Sequence, residues 1–335
     1  MSFHIQSFSD NIHANGGVRR SEQIISLAAS EGLSSVAPPS TRECRMLMLA
    51  RPFSLFKAAL LTIRVGLTAL SFKGMRRSLR YGTWLVEQLR KHNDEPVWIE
   101  LTPERNILIG ALLAASGRSY VAFPHNIEFL VPQQSQSVFR GPSKEFLIER
   151  TIFRKAKRVV TISNFDSAVV RSLGVTIVQQ LPYSPVAKHR EELLKIRSRR
   201  THSVKDGIII LGSVGNRPTR DGILQVLRQI AGIHTKKKFT LAGFGTELLE
   251  KEAPSSVSVI GSISNESLIE LLVKCEAMII CQPQTSGMLT RLVEADVAGV
   301  PVWLLGDYLQ ADDPSLSLQM TKRYQKVINL PIFEV

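Results

Sequence analysis

The feature that most constrains this chain is an alternation: short runs rich in β-branched and aromatic residues recur along it, each followed by a stretch with helical periodicity. That rhythm belongs to βαβ units, which close a parallel sheet with helices on its faces. Two series are present. The first contains FHIQSF (3–8), VWIEL (97–101), SYVAF (119–123), RVVTI (158–162) and TIVQQ (176–180). The second contains GIIILG (207–212), KFTLAG (238–243), VSVIG (257–261), AMIIC (277–281) and VPVWLL (300–305). Between them residues 184–206 carry seven Lys or Arg with little apolar periodicity, and an interdomain linker is expected there. The expected class is α/β, with two Rossmann-like parallel-sheet domains, 1–184 and 207–335, facing across a cleft, and a basic linker at 185–206. A length of 335 residues with 44% hydrophobic composition suffices for two cores.

Helix starts agree with this division. Ser163 stands three residues before Asp166, and Ser264 precedes the periodic run Leu268, Leu271, Leu272. Cys44, Cys275 and Cys281 are widely spaced and form no C-x-x-C pair, which argues against a disulfide framework or a cysteine zinc site. The first residues lack a basic segment followed by an apolar one, so a cytoplasmic location is expected.

The net charge of +13 is unevenly spread: between Arg42 and Lys91 eleven Lys or Arg face two Glu. Within this region residues 52–70, PFSLFKAALLTIRVGLTAL, are apolar but interrupted by Lys57 and Arg64. They read as a surface-lying helix whose Phe53, Leu60, Ile63 and Leu67 enter a membrane interface while cations meet anionic headgroups. An anionic membrane surface contacted through 52–91 is therefore an expected partner, against the plainer reading of a core helix with a basic rim. Nucleic acid is not expected, because only 7% of residues are aromatic and few interleave with the basic runs.

Ligands of such sheets sit in strand-to-helix loops at the carboxyl ends. The first such loop ends in Asn15-Gly16-Gly17, where paired glycines let the backbone approach a ligand at a helix N-terminus. Phe123-Pro124 is followed by His125, Asn126 and Glu128, side chains that orient hydroxyls or carry protons. The turn 212–222 brings Arg217 and Arg220 to a helix start, a fit for phosphate oxygens. Finally Ser286-Gly287 leads into a helix on which Arg291 and Glu294 lie three apart on one face, for phosphate and a ribose diol, or simply for each other.

In order and spacing these residues resemble the family 4 glycosyltransferases, retaining enzymes of the GT-B fold. VVTISNFDSAVVRSLGV with Leu181-Pro182-Tyr183, FTLAGFG, VSVIGSISNESLIELLVKCEAMIICQP and SGMLTRLVEADVAGVPV carry the similarity. The resemblance implies transfer of a sugar from a nucleoside-diphosphate-sugar, with no separate cofactor and no Asp-x-Asp metal. The acceptor would be a saccharide or lipid-linked saccharide in surface polysaccharide or glycolipid synthesis. It further implies that His125 lies beside the transferred sugar, that Arg217, Arg220, Ser286, Gly287, Arg291 and Glu294 bind the donor, and that Gly16 and Gly17 face acceptor and phosphates. Asn126 and Glu128 remain additional cleft candidates. The sequence departs from the family where Ser286 stands in place of a frequent Glu and Asp221 in place of a common Lys. Those departures keep open a catalytically silent, glycosyltransferase-like binding protein.

Overall fold

The computed structural model describes residues 2–7, 16–92, 96–131, 138–232, 235–280 and 286–305, and the strand 324–327. Asn15 and Cys281, which entered the sequence reading, lie outside the described residues. The chain divides into two compact units: Met1–Tyr183 with Thr285–Met288, and Ser184–Gln284 with Leu289–Val335.

In the first unit the elements run β1 (Phe3–Ile5), α1 (Gly16–Ser30), β2 (Ser34–Val36), α2 (Thr41–Ala50), α3 (Pro52–Val65) and α4 (Phe72–Lys91). They continue with β3 (Val97–Leu101), α5 (Arg105–Ser116), β4 (Tyr120–Pro124), α6 (Pro142–Lys155), β5 (Arg158–Thr161), α7 (Asn164–Ser172) and β6 (Val178–Gln180). The strands form one parallel sheet ordered β2-β1-β3-β4-β5-β6. Helix α5, RNILIGALLAAS, is buried over most of its length, with Ile107, Leu108, Leu112 and Leu113 fully enclosed. Each such side chain contributes about 2 kcal/mol of burial. Glycine makes its closest approach workable, since a Cβ on Gly110 would sit 2.8 Å from Leu101 Cδ2.

The sequence reading did not separate three elements here. β2 is a three-residue, largely exposed edge strand, too short to show alternation. Residues 52–70 are not one helix: α3 stops at Val65, where Gly66 adopts φ +107° and its N–H caps the Ile63 and Thr62 carbonyls. A serine then restarts the chain as α4, Ser71 Oγ accepting from Gly74 N–H at 3.0 Å.

The second unit runs α8 (Ala187–Thr201), β7 (Ile208–Leu211), α9 (Arg217–Ala231), β8 (Phe239–Ala242), β9 (Val257–Gly261) and α10 (Asn265–Lys274). It ends with β10 (Ala277–Ile280), α11 (Thr290–Ala298), β11 (Val302–Leu305) and β12 (Tyr324–Val327). Its parallel sheet is ordered β12-β11-β10-β7-β8-β9.

The stretch 185–206, expected as a linker, holds the fifteen-residue α8 instead. Two of its basic residues hold neighbouring helix ends. Arg200 donates to Gly299 O at 3.0 Å and to Leu272 O, while Arg197 donates to Asp296 O at 3.0 Å. These carbonyls close α10 and α11, where helix ends leave acceptors unfilled and favour a cation.

Both sheets have the doubly wound switch. In the first, the chain moves outward from β1 to β2 and then returns to β3 on the other side of β1; in the second, it moves β7-β8-β9 and returns to β10 beside β7. In open parallel sheets the crevice for a ligand opens at the carboxyl ends beside such a point.

Candidate active site

The first sheet gathers a buried polar cluster around its switch point. Glu100, the only charged residue of β3, is fully buried near that strand's carboxyl end. Its Oε2 accepts from Ser21 Oγ of α1 and lies 3.0 Å from His125 Nε2, and its Oε1 lies 2.9 Å from His4 Nε2 on β1. Burial opposes its charge, but hydrogen bonds from His125 and His4 and their coulombic attraction outweigh it and hold the carboxyl well below the usual range. The strand β4 delivers His125 directly beyond its last residue, Pro124, and the ring is almost fully buried.

Arg20 of α1 is also fully enclosed. Its Nη1 donates to Gln23 at 2.5 Å, whereas Nε and Nη2 have no hydrogen-bond acceptor among the described residues. Desolvation lowers its pKa to about 10, against the opposing fields of Glu100, Asp166 and Tyr183. Gly16 and Gly17 form the first turn of the same helix. One further sign of strain lies nearby: Glu104, just after β3, has φ +61°, the only non-glycine at positive φ among the described residues.

Beyond His125 the chain turns through a short 3-10 segment, Glu128–Leu130. Asn126 Nδ2 donates to Glu128 Oε1 at 3.4 Å, and Glu149 of α6 accepts from the Glu128 and Phe129 N–H groups at 2.9 and 3.0 Å. Burial pushes Glu149 up to about 8, with those two N–H groups opposing, and burial together with Glu149 raises Glu128 well above the carboxylate range. The two N–H donors oppose the rise at Glu149, whereas Glu128 Oε2 has no hydrogen-bond partner among the described residues, so the Glu128 carboxyl is the one pushed further towards its neutral form.

Ser286 and Gly287 join this same cluster in the first unit. Ile127 N–H donates to Ser286 Oγ at 2.5 Å, and Gly287 N–H donates to both oxygens of Asp166 at 3.2 Å. Gly287 has φ +83°, and a Cβ there would lie 2.0 Å from Asn126 Oδ1 and 2.9 Å from His125 O. Only glycine meets both the conformation and the space.

In the second unit the chemistry again lies at the switch point. Arg291, in the first turn of α11, donates from Nη1 to Leu211 O at 2.6 Å, the carbonyl of the last residue of β7. The turn after β8 needs glycine where it passes the end of β7: Gly243 has φ +129° and a Cβ on it would collide with Gly212 O at 1.9 Å. Arg217 and Arg220 stand exposed in the first turn of α9, and Arg217 Nε lies 3.6 Å from Asp221. Glu294 Oε1 lies 3.2 Å from Nε2 of His189 on α8, and His189 Nδ1 lies 3.3 Å from Glu192.

Sequence reasoning thus named His125, Asn126, Glu128, Ser286 and Gly287, which assemble, but missed the groups that hold them. Glu100, Asp166 and Glu149 are buried carboxylates whose signal is faint: a lone acid in VWIEL, one in an N-cap box, one in an amphipathic helix. His4, Arg20 and His189 carry no local signal of their role.

No protein-family model and no curated protein matches the chain. Solved structures do. The lipopolysaccharide glycosyltransferase WaaG matches 91% of this chain and 80% of its own at 15% identity and a TM-score of 0.52. Anabaena HepE in complex with UDP-glucose matches with the same coverage at 12% identity and a TM-score of 0.53. UDP-GlcNAc 2-epimerase from Methanocaldococcus jannaschii matches 97% of this chain and 88% of its own at 10% identity and a TM-score of 0.50. Of the sucrose-phosphate synthase from Thermosynechococcus elongatus the chain covers 60%, at a TM-score of 0.47. The fold is that of the GT-B glycosyltransferases, two Rossmann-like parallel-sheet domains.

Proposed function

We propose that this protein is a retaining, family 4-type glycosyltransferase that moves a sugar from a nucleoside diphosphate to an acceptor hydroxyl without a metal. The observation that carries this reading is that both parallel sheets place their charged and buried polar residues at the topological switch point, where doubly wound sheets take ligands. HepE, one of the neighbours in fold, is seen in complex with UDP and with UDP-glucose, which supports a nucleotide-sugar donor.

In this reading the diphosphate meets Arg291, the N-terminus of α9 and its Arg217 and Arg220, and Glu294, steered by His189, takes the ribose hydroxyls. The transferred sugar meets His125, Asn126, Ser286 and the protonated Glu128, a hydroxyl donor. Gly16 and Gly17 open α1 towards acceptor and phosphates. The acceptor oxygen bonds to the anomeric carbon from the face the diphosphate leaves, the carbon–phosphate oxygen bond breaks, and the acceptor proton passes to the departing diphosphate. Arginines and helix N-termini stabilise the charge that develops there. The work is cytoplasmic, on a saccharide or lipid-linked acceptor of surface polysaccharide or glycolipid synthesis.

Two observations favour the alternative of a nucleotide-binding protein without transfer: the hydroxyl of Ser286 is engaged by Ile127, and Asp221 draws Arg217. Calorimetry of the protein against UDP-, GDP- and ADP-sugars without added metal, followed by product analysis, separates them. Selective binding with hydrolysis or transfer that falls at least tenfold in Arg291→Ala supports transfer, binding without turnover supports the silent reading, and turnover to an epimeric nucleotide sugar refutes both.

A further inference from the structure

We propose that α2, α3 and the start of α4 form a docking surface for an anionic phospholipid membrane, with the outward face of α3 lying in the interface. Among the described residues fifteen large hydrophobic side chains are exposed, and eight of them fall between Met46 and Phe72. Helix α3 is amphipathic in reverse. The side it turns to the protein is small or polar apart from Leu61: Ala58 packs against Gly82 of α4, whose added Cβ would lie 2.9 Å from Ala58 Cβ, Thr62 Oγ1 meets Ser78 Oγ at 2.8 Å, and Ser54 donates to Glu87. The side it turns outward carries Phe53, Phe56, Leu60 and Ile63, spaced by three, four and three residues and all exposed. A water-facing helix has the opposite arrangement, and an exposed apolar stripe of this size marks an interaction surface.

Charge selects the partner. Cations flank the stripe: Lys57 Nζ sits 4.7 Å over the Phe53 ring, and Arg76 lies 6.0 Å over that of Phe72. With eleven Lys or Arg against two Glu between Arg42 and Lys91, the surface suits acidic headgroups around inserted rings. No single helix among the described residues is long and apolar enough to span a bilayer, and α2 and α3 meet at a bend of 113°. The inward face of α3 is occupied by α4, so the helix lies in the interface while staying docked on its domain.

The test uses the full chain and co-sedimentation with phosphatidylcholine vesicles, with and without phosphatidylglycerol, and is independent of any transfer activity. Binding is expected to need phosphatidylglycerol and to weaken with salt. Phe53→Ser and Phe56→Ser should each lower the partition coefficient about tenfold, the worth of one buried aromatic ring. Lys57→Ala and Arg64→Ala should each lower it about fivefold. All four positions are exposed, so melting curves should match the wild type; a Phe56→Trp protein should in addition shift its emission to the blue on vesicles and be quenched by brominated lipid. Absence of vesicle binding, or binding indifferent to Phe53→Ser and Phe56→Ser, overturns the proposal. So does a concentration-dependent dimer abolished by Phe53→Ser, which would give this face to a second copy of the chain.

Discussion

Replacing Glu100 by Ala removes the acceptor on which the first unit's buried polar cluster converges. Two donors lose their partner, Ser21 Oγ and His125 Nε2, His4 Nε2 loses the carboxylate 2.9 Å from it, and Arg20 loses its largest opposing carboxylate field. An orphaned buried donor costs about 1 kcal/mol at the low end, and breaking a buried ion pair about 3–5 kcal/mol. The expected loss is about 4 kcal/mol, a large share of a domain's typical stability of about 5–15 kcal/mol. Glu100→Gln keeps the volume and one acceptor oxygen, and a histidine can change tautomer to accept from the new amide, so its loss should be about 1–2 kcal/mol. Urea unfolding followed by fluorescence in a Trp303→Phe background isolates the first unit, because Trp84 and Trp98 both belong to it. The pH dependence supplies a second check. The Glu100 carboxyl is depressed in the fold, so its contribution is complete above the unfolded value near 4.3 and drains away as pH falls. Between pH 5 and 3.5 the wild-type advantage over Glu100→Ala should shrink by about 1 kcal/mol. An Ala variant within about 1 kcal/mol of wild type, or an advantage that does not narrow in acid, would refute an ionised, fully engaged Glu100.

Two further outcomes follow from the same cluster. Gly287→Ala forces a Cβ against Asn126 Oδ1 and His125 O in a left-handed conformation, and should cost about 2–4 kcal/mol, read as a fall of several degrees in melting temperature; a fall under one degree would mean that the segment is not held as described. The Glu128 carboxyl is raised in the fold, so its contribution is complete below the unfolded value near 4.3 and is lost as pH rises through the folded one. Glu128→Gln should therefore gain stability relative to wild type as pH rises above about 4.3, and a pH-independent difference in thermal melts would exclude a raised Glu128 carboxyl.

Much of this protein is determined by local sequence. The β-branched runs and the helical stretches between them encode both sheets, because burial on two faces requires continuous apolar strands. Ser163 and Ser264 start their helices as their side chains dictate, each accepting an N–H three residues on. The loop His125-Asn126-Glu128 and the pair Ser286-Gly287 are legible as candidates because polar and small residues after an apolar strand have no packing role there.

Tertiary structure alone decided what holds them. Glu100, His4, Ser21 and His125 come from two strands, the loop after a third and a helix, separated by up to 121 residues, and their meeting follows from the order in which strands join the sheet. Basic composition at 185–206 suggested a linker, yet α8 spends Arg197 and Arg200 on the carbonyl ends of α10 and α11, partners invisible in its own sequence. The apolar periodicity of α3 likewise specified an amphipathic helix but not its orientation. Small residues on the other side, Ala58 against Gly82, let α3 and α4 approach closely and so turned the large side chains outward. Periodicity records that a helix has two faces; which of them meets the protein is set by the shape of the neighbour that packs against it.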